Sequence, residues 1–256
     1  MNFCVKNLSS KIEEKPFLKN INFSITKPGI LLILGNNGQG KTTLLKTLMH
    51  HFSTQIISGE ISLNNEQITN LNTYELSKKG ILYIPQNSVE FNSIQTLSFL
   101  KNINDNNHKI PFSSLYTKIK EFLKKYSLSE ELLTRNLNEG FSGGQKKKME
   151  LLQASIINPD ILLIDEIDSG VDYESIKKIA KYINEVKKEK IIILISHNAN
   201  FLKLIKPENV VIIEEGKIIK KGKYSLINEF QKSGINKFVK SRKKVVDSVC
   251  YLNKKK

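Results

Sequence analysis

The sequence has few of the residues that would indicate a disulfide scaffold or a metal site. Its 256 residues include two cysteines, four histidines and no tryptophan. Cys4 and Cys250 lie near opposite ends of the chain, and no histidine stands at zinc-ligand spacing from either of them. We therefore expect structural thiols in a reducing compartment, with a disulfide or a metal site as the alternative.

Long hydrophobic runs are also missing. The longest apolar runs, residues 30–34 and 191–195, are far shorter than the roughly 20 residues that a membrane-spanning helix needs. The opening stretch MNFCVKNLSS lacks the apolar segment of a signal peptide. We expect a soluble, non-secreted protein.

Positive charge is abundant, and only two arginines contribute to it. The net charge of +15 is carried almost wholly by lysine, and such a surplus suits nucleic acid, a membrane surface or an anionic ligand. The lysines are scattered, however, and a compositional drift toward Lys, Asn and Ile accounts for them. No nucleic-acid partner is therefore expected. Residues 232–256 are lysine-rich and predict a frayed tail.

The hydrophobic pattern predicts the α/β class. Alternating runs over residues 1–34 predict two or three strands with turns at Lys15–Pro16 and Pro28–Gly29, and GEISLNNEQI predicts a hairpin. Helical patterns dominate from about 90 to 158, interrupted by a polar loop at NINDNNHK. Four apolar runs predict buried strands of a parallel sheet covered on both faces: 81–86, 161–165, 191–196 and 210–215.

A phosphate-binding loop follows the third of the N-terminal runs. The stretch GNNGQGKT matches G-x-x-x-x-G-K-[ST] completely, with a strand pattern before it and a helix pattern after it. Its glycines let the backbone wrap phosphates, Lys41 reaches the β/γ-phosphates, and the Thr42 hydroxyl can ligate Mg²⁺. The predicted nucleotide-binding residues of this loop are Gly35, Asn36, Asn37, Gly38, Gln39, Gly40, Lys41, Thr42 and Thr43.

Polar residues close three of the predicted strands. Asp165 and Glu166 follow ILLI, and an acid at the end of a buried strand is costly unless a cation needs it. Asp165 is the predicted Mg²⁺ ligand and Glu166 the predicted general base. Gln86 and His197 also end strands, at the edge where open α/β sheets bind ligands. We expect Gln86 near Mg²⁺ or the attacking water, and His197 near the γ-phosphate. Taken singly, each pattern also fits a helix cap or an ordinary loop residue.

A second glycine-rich helix start lies in NEGFSGGQKKKM, 23 residues before Asp165 when counted from Ser142. Bare backbone N–H groups at a helix N-terminus can hold a phosphate. The order of the five motifs resembles the ATP-binding cassette ATPases over about residues 1–225.

This resemblance implies an ABC ATPase fold over residues 1–231. In such a fold a P-loop parallel-sheet core carries an N-terminal antiparallel β subdomain and a helical subdomain, here inserted at about 87–158. The resemblance also implies Mg²⁺-dependent ATP hydrolysis in a head-to-tail dimer that forms on ATP binding. The residues expected to complete the partner's nucleotide site are Ser142, Gly143, Gly144, Gln145 and Asp172.

The family stacks adenine on an aromatic side chain of the N-terminal strands. Residues 9–15 offer none, and Phe17 is expected in the core. Apolar packing at Ile12 is the remaining expectation for the base.

Within the family, three stretches resemble SufC, the ATPases of the Suf iron–sulfur cluster assembly system. DEIDSGVD stands where most transporter cassettes read DEPTSALD, RNLNEGF precedes the signature, and QNSVEFNSI follows ILYIP. Departures from the SufC pattern are Ser88 for Pro, Gln145 for Glu, Lys148 for Arg, Val171 for Leu, and a missing Pro-Gly before Ile94.

The SufC resemblance implies SufB/SufD-like scaffold proteins as partners, with iron–sulfur clusters bound by them and not by this chain. Two alternatives stay open. One is the nucleotide-binding subunit of a membrane transporter, and the other is a nucleic-acid-binding cassette protein. The latter class usually carries two cassettes in one chain, and this sequence has one P-loop.

Overall fold

The computed structural model describes residues 1–234, so the predicted tail lies outside the described residues from residue 235 onward. Within that range the strands are β1 (Phe3–Ile12), β2 (Lys15–Ile25), β3 (Gly29–Leu34), β4 (Gln55–Leu63), β5 (Glu66–Gln67), β6 (Ile81–Ile84), β7 (Ile161–Asp165), β8 (Ile191–Ile195), β9 (Asn209–Glu214) and β10 (Lys217–Gly222). The α-helices are α1 (Lys41–Leu48), α2 (Thr73–Lys78), α3 (Thr96–Asn107), α4 (Phe112–Tyr126), α5 (Gly143–Ile157), α6 (Tyr173–Val186), α7 (Ala199–Ile205) and α8 (Ser225–Ser233), and a 3₁₀ helix spans Glu130–Leu133.

The first compact unit comprises residues 1–71 and the described residues from 207 onward. It holds an antiparallel sheet in the order β2-β1-β4-β5. In the same unit β3 pairs with β9 in parallel, and β10 pairs with β9 antiparallel. All six residues of β3 are buried, as expected for a strand that is apolar throughout.

The first hairpin turns two residues earlier than the sequence predicts. Lys15 pairs with Ile12 and Pro16 with Lys11 inside the sheet, so the turn is Glu13–Glu14 and not Lys15–Pro16. Proline cannot donate to a ladder, but β2 is an edge strand of this sheet, where the missing N–H is tolerated. The turn predicted at Pro28–Gly29 lies one residue earlier, as a bend at 27–28, and Gly29 begins β3.

The second hairpin, between β4 and β5, is confirmed. Asn64 and Asn65 form its turn with φ of 49° and 68°. Two left-handed residues in a row match the twist of the flanking strands, and asparagine tolerates that conformation better than most residues.

The second compact unit is residues 72–206. Its strands β6, β7 and β8 pair in parallel in that order, and every residue of β7 and β8 is buried. These strands confirm the strand predictions for the apolar runs at 81–86, 161–165 and 191–196. Helices α3, α4 and α5 confirm the helices predicted between 90 and 158.

One expectation in this unit is wrong. NINDNNHK was predicted as a polar loop that interrupts the helical pattern, yet α3 runs on to Asn107. The side chains of Asn106 and Asn107 donate to carbonyls one turn back, at Asn102 and Ile103 (2.9 and 2.7 Å). Buried Asn104 donates to the carbonyl of Ile110 at 2.9 Å. The asparagine side chains therefore bond along the helix instead of ending it.

Two further expectations concern membranes and thiols. Over residues 1–234, no helix combines the length and the apolar character that crossing a membrane requires. Cys4 is a half-buried free thiol, and Cys250 lies outside the described residues.

Candidate active site

The phosphate loop in the first unit requires glycine at three positions, because of steric crowding or backbone conformation. A Cβ at Gly35 (φ +154°) would lie 2.4 Å from the carbonyl oxygen of Ile213 in β9. Gly40 (φ +108°) would place a Cβ 3.1 Å from a methyl group of Leu18. Gly38 has open space, but its φ of +77° still favours glycine. The loop therefore approaches neighbouring backbone more closely than other residues allow.

A buried ammonium group lies inside this loop. Lys41 is 5% exposed, and its Nζ donates to the carbonyls of Gly35 and Asn36, both at 2.9 Å. Helix α1 begins at Lys41 with no side-chain capping hydrogen bond and no acidic residue in its first turn. A cation and uncapped N–H groups at a helix N-terminus form a site for phosphate.

The loop is tied to the turn between β9 and β10. The side-chain oxygen of Gln39 accepts from the N–H of Glu215 at 2.7 Å, and its carbonyl accepts from Gly216 at 3.1 Å. Phe17, expected in the core, is half-buried. Its ring lies 3.3 Å from where a Cβ of Gly40 would stand. An aromatic edge therefore borders the phosphate loop, a contact that the predicted core position of Phe17 missed.

The acidic residues lie in the second unit, at the end of β7. Asp165 is fully buried, and the Tyr83 hydroxyl donates to its Oδ2 at 3.3 Å. Burial, together with the Asp165 carboxylate, raises the pKa of Tyr83, so the phenol remains a donor. Glu166 leaves the strand in a left-handed conformation (φ 44°), with its N–H bonded to the Ile195 carbonyl at 3.0 Å. A non-glycine residue in this conformation is strained, as is common at functional sites.

Three of the predicted residues meet at this edge. The Gln86 amide donates to Glu166 Oε2 at 2.7 Å. His197 Nε2 lies 3.9 Å from Glu166 Oε1. Because β6, β7 and β8 run in parallel, the residues that follow them share one edge of the sheet. The Glu166 carboxylate is thus oriented by the Gln86 amide and lies next to the His197 imidazole.

Asp168 joins this group, and it was absent from the predicted site. It is 7% exposed, and it accepts a hydrogen bond from the Ser196 hydroxyl at 2.9 Å. Burial raises the pKa of Asp168, and the nearby Glu166 carboxylate acts in the same direction, whereas the Ser196 bond opposes both. A cavity of about 350 Å³ is lined by Glu166, Asp168, Ser169, His197 and Asn198. The signal available in the sequence was the Ile-Asp pair that replaces Pro-Thr after Glu166.

The signature begins α5 through a capping box. Ser142 Oγ accepts from the N–H of Gln145 at 3.3 Å, and the Gln145 side chain accepts from the N–H of Ser142 at 2.8 Å. Gly144 is buried, whereas Gly143 is exposed. The reciprocal bonds use the N–H groups of positions 142 and 145, and the two glycines between them carry the bare backbone that the phosphate hypothesis requires.

The signature glycines also have a packing role. A Cβ at Gly143 would lie 2.6 Å from the Gly170 carbonyl, and one at Gly144 would lie 2.4 Å from Ser175 Oγ. Asp172, a predicted nucleotide contact, caps α6 by accepting from the N–H of Ser175 at 2.9 Å. Hydrogen bonds from the backbone and side chain of Ser175 lower the pKa of Asp172. The start of α5 therefore packs directly on the segment that follows Glu166.

The predicted Mg²⁺ ligands have suitable chemistry. They are a hydroxyl (Thr42), an amide (Gln86) and a fully buried carboxylate (Asp165). These groups offer oxygen atoms, which Mg²⁺ prefers over nitrogen or sulfur. The chain thus has predicted Mg²⁺ ligands, a phosphate loop, a strand-end glutamate and a signature helix. These features define a nucleotide-hydrolysing protein of the P-loop class.

Comparison with known proteins names the family. The model of the family described as "ABC transporter" matches residues 18–169. A protein of Antithamnion sp. named "Probable ATP-dependent transporter ycf16" is 38% identical over 90% of this chain and 94% of its own. "Vegetative protein 296" of Bacillus subtilis is 31% identical over 90% of each chain. The chain therefore belongs to the ABC transporter ATPase family and is an ATP-binding ATPase.

Solved structures confirm the fold. An ATP-binding subunit of an ABC transporter superposes with a TM-score of 0.77 over 94% of this chain and 99% of its own, at 22% identity. A cassette solved as a dimer in a post-hydrolysis state with ADP and phosphate superposes with a TM-score of 0.73, covering 87% of this chain and 98% of its own, also at 22% identity. The predicted ABC ATPase fold, with its antiparallel β part, parallel strands and helices, is confirmed.

Proposed function

We propose that this chain is the ATPase of a Suf-type iron–sulfur cluster assembly system, acting on SufB/SufD-like scaffold proteins that bind the clusters. Asp168 is the observation that carries the proposal. It belongs to the DEIDSG run that resembles SufC, and its buried carboxylate bonds to Ser196, directly before His197. The residue that separates this chain from most transporter cassettes thus contacts the segment carrying the strand-end histidine. Such an ATPase would work in the cytoplasm or in a plastid-like stroma.

The residues around Glu166 suit ATP hydrolysis. Glu166 takes the proton of the attacking water as general base, oriented by the 2.7 Å bond from Gln86. His197, 3.9 Å from Glu166, contacts the γ-phosphate, and Lys41 with the loop N–H groups binds the β- and γ-phosphates. Thr42, Asp165 and Gln86 are the residues that would hold Mg²⁺, which would neutralise phosphate charge.

The signature residues complete the site of a second copy. Gly143 carries a backbone N–H group at an exposed helix N-terminus, which suits a γ-phosphate presented by a partner. ATP then joins two copies head to tail, and Asp172, in the segment packed on the signature, lies where the copies meet. Closure of this pair on ATP would move the bound scaffold proteins, and its opening after hydrolysis would release them.

A transporter subunit is the second candidate, because the matching family model and several relatives carry transporter names. "Probable ABC transporter ATP-binding protein SpyM3_0208" of Streptococcus pyogenes, for instance, is 32% identical over 90% of this chain and 92% of its own. The two candidates differ in the partner: a scaffold protein in one case, a multispanning membrane protein in the other.

The partner can be identified directly. The full chain, tagged and expressed in its native source, would be isolated from detergent-free and detergent-solubilised fractions, and its stoichiometric partners sequenced. The Suf proposal predicts SufB/SufD-like proteins in the detergent-free complex. A multispanning membrane protein recovered only with detergent, and no scaffold protein in either fraction, would establish the transporter subunit instead.

A further inference from the structure

The three lysines that follow the signature on α5 have three different surroundings. Lys146 forms an ion pair with Glu90 and remains partly exposed. Lys148 is also buried, and its Nζ donates to the Ser127 carbonyl at 3.4 Å. Lys147, between them, is 4% exposed. Lysine is almost never this buried unless its charge is compensated, and of these two buried lysines Lys147 has the larger set of acceptors.

Lys147 is held by three oxygen atoms. Its Nζ donates to the carbonyls of Pro85 and Gln86 at 2.9 and 2.7 Å and to Glu150 Oε2 at 3.2 Å. An ammonium group has three protons, and these three acceptors can use all of them. Glu150 is also buried, and burial raises its pKa while the charge of Lys147 opposes that shift. Inside the second unit, the Glu150 carboxylate thus compensates the charge of the Lys147 ammonium, which donates to the backbone of residues 85–86.

Those carbonyls belong to the segment that carries Gln86. This residue follows the end of β6 and is exposed, so the sheet itself does not hold it. Its side-chain amide nevertheless donates to Glu166 at 2.7 Å. The contacts therefore run from α5 through Lys147 to the Gln86 backbone, and from the Gln86 side chain to Glu166.

We propose that Lys147 is a positioning residue: its ammonium holds the 85–86 backbone so that the Gln86 amide orients the Glu166 carboxylate. The signature helix thereby sets the geometry of the general base in its own chain. This inference rests on the catalytic roles given to Gln86 and Glu166 under the proposed function, and it adds a role for the lysine run next to the signature.

The test is steady-state ATP hydrolysis by the full chain with Mg²⁺. Lys147→Met keeps the apolar stem but removes the ammonium, and we expect kcat to fall about tenfold with KM changed less than about twofold, because a misplaced catalytic group lowers the rate of chemistry more than binding. Lys146→Met, one residue away on the same helix, is the matched control and should keep the wild-type kcat. Gln86→Ala should lower kcat, and Lys147→Met/Gln86→Ala should be no slower than the slower single variant, because both changes act through one path.

Lys147→Met leaves Glu150 buried without its partner and could therefore misfold. A second variant separates the loss of the ammonium group from misfolding. Lys147→Met/Glu150→Gln removes the Glu150 charge yet still deprives the carbonyls of Pro85 and Gln86 of their donor, so the same loss of kcat is expected at an intact melting temperature. Wild-type kcat in a folded Lys147 variant, or effects of Lys147→Met and Gln86→Ala that multiply, would overturn the positioning role. Wild-type kcat for Gln86→Ala would instead contradict the catalytic assignment on which the proposal rests.

Discussion

Gly144→Ala measures whether the signature glycine is needed for packing within the chain. In a helix interior, alanine is preferred over glycine by about 1 kcal/mol, so propensity alone predicts stabilisation. The structure predicts the reverse. A Cβ at position 144 would lie 2.4 Å from Ser175 Oγ, 2.8 Å from Ser175 Cβ and 2.9 Å from Asp172 Oδ2.

The size of the effect follows from which of these atoms can move. Ser175 Oγ can rotate away, but its Cβ is fixed to the backbone of α6 and moves only with the helix. Overpacking of this kind costs about 1–3 kcal/mol. After the gain of about 1 kcal/mol in helix propensity, a net loss of about 0–2 kcal/mol remains, which lowers the melting temperature by up to about 8 °C for a chain of this size.

Differential scanning calorimetry on four variants tests this reasoning. Ser175→Gly removes the two nearest crowding atoms, and the third, Asp172 Oδ2, is the end of a side chain that can shift. Gly144→Ala should therefore destabilise the wild-type chain but be neutral or stabilising in the Ser175→Gly background. Gly144→Ala is compared with the wild type, and the double variant is compared with Ser175→Gly alone. Because both members of the second pair carry Ser175→Gly, the cost of placing glycine in α6 cancels. An equal loss of stability in both backgrounds, or a higher melting temperature for Gly144→Ala alone, would refute the packing account.

Three further substitutions test the nucleotide site. Glu166→Gln should reduce ATP hydrolysis by about 10²-fold or more while ATP binding is kept, because the amide cannot accept the water proton; steady-state turnover near wild type would exclude Glu166 as the base. Lys41→Ala should weaken ATP binding at least about tenfold by removing the buried ammonium from the loop, as titration calorimetry would show, and unchanged affinity would contradict the assignment of the phosphate site. Ser142→Arg should leave ATP binding by the monomer intact yet prevent ATP-dependent dimerisation, measured by light scattering with Glu166→Gln in the background; a normal dimer would contradict the role of the signature in the partner's site.

Local patterns were enough to predict most of the fold. The apolar strands were identifiable because a buried parallel strand is hydrophobic on both faces, and β7 and β8 are buried throughout. The meeting of Gln86, Glu166 and His197 also followed, since parallel strands end at a common edge. These predictions needed only the strand period and the chain direction.

What sequence reasoning missed depends on contacts between distant residues. The burial of Lys147 depends on carbonyls 61 and 62 positions away, and Asp168 depends on Ser196, 28 positions away. The asparagines of α3 were mistaken for a loop because their bonds along the helix depend on rotamers that composition does not show. Phe17 was assigned to the core, although it is half-buried and its ring borders Gly40.

The most direct test of the account is to mix two variants that are each inactive. In a head-to-tail pair, Lys41→Ala spoils the phosphate loop and Ser142→Arg spoils the signature. A mixed pair therefore combines both lesions in one site and leaves the other site with an intact loop and an intact signature. ATP hydrolysis measured on the mixture should reappear, although neither variant hydrolyses ATP alone. A mixture as inactive as its components would contradict the claim that two copies of this chain share each nucleotide site.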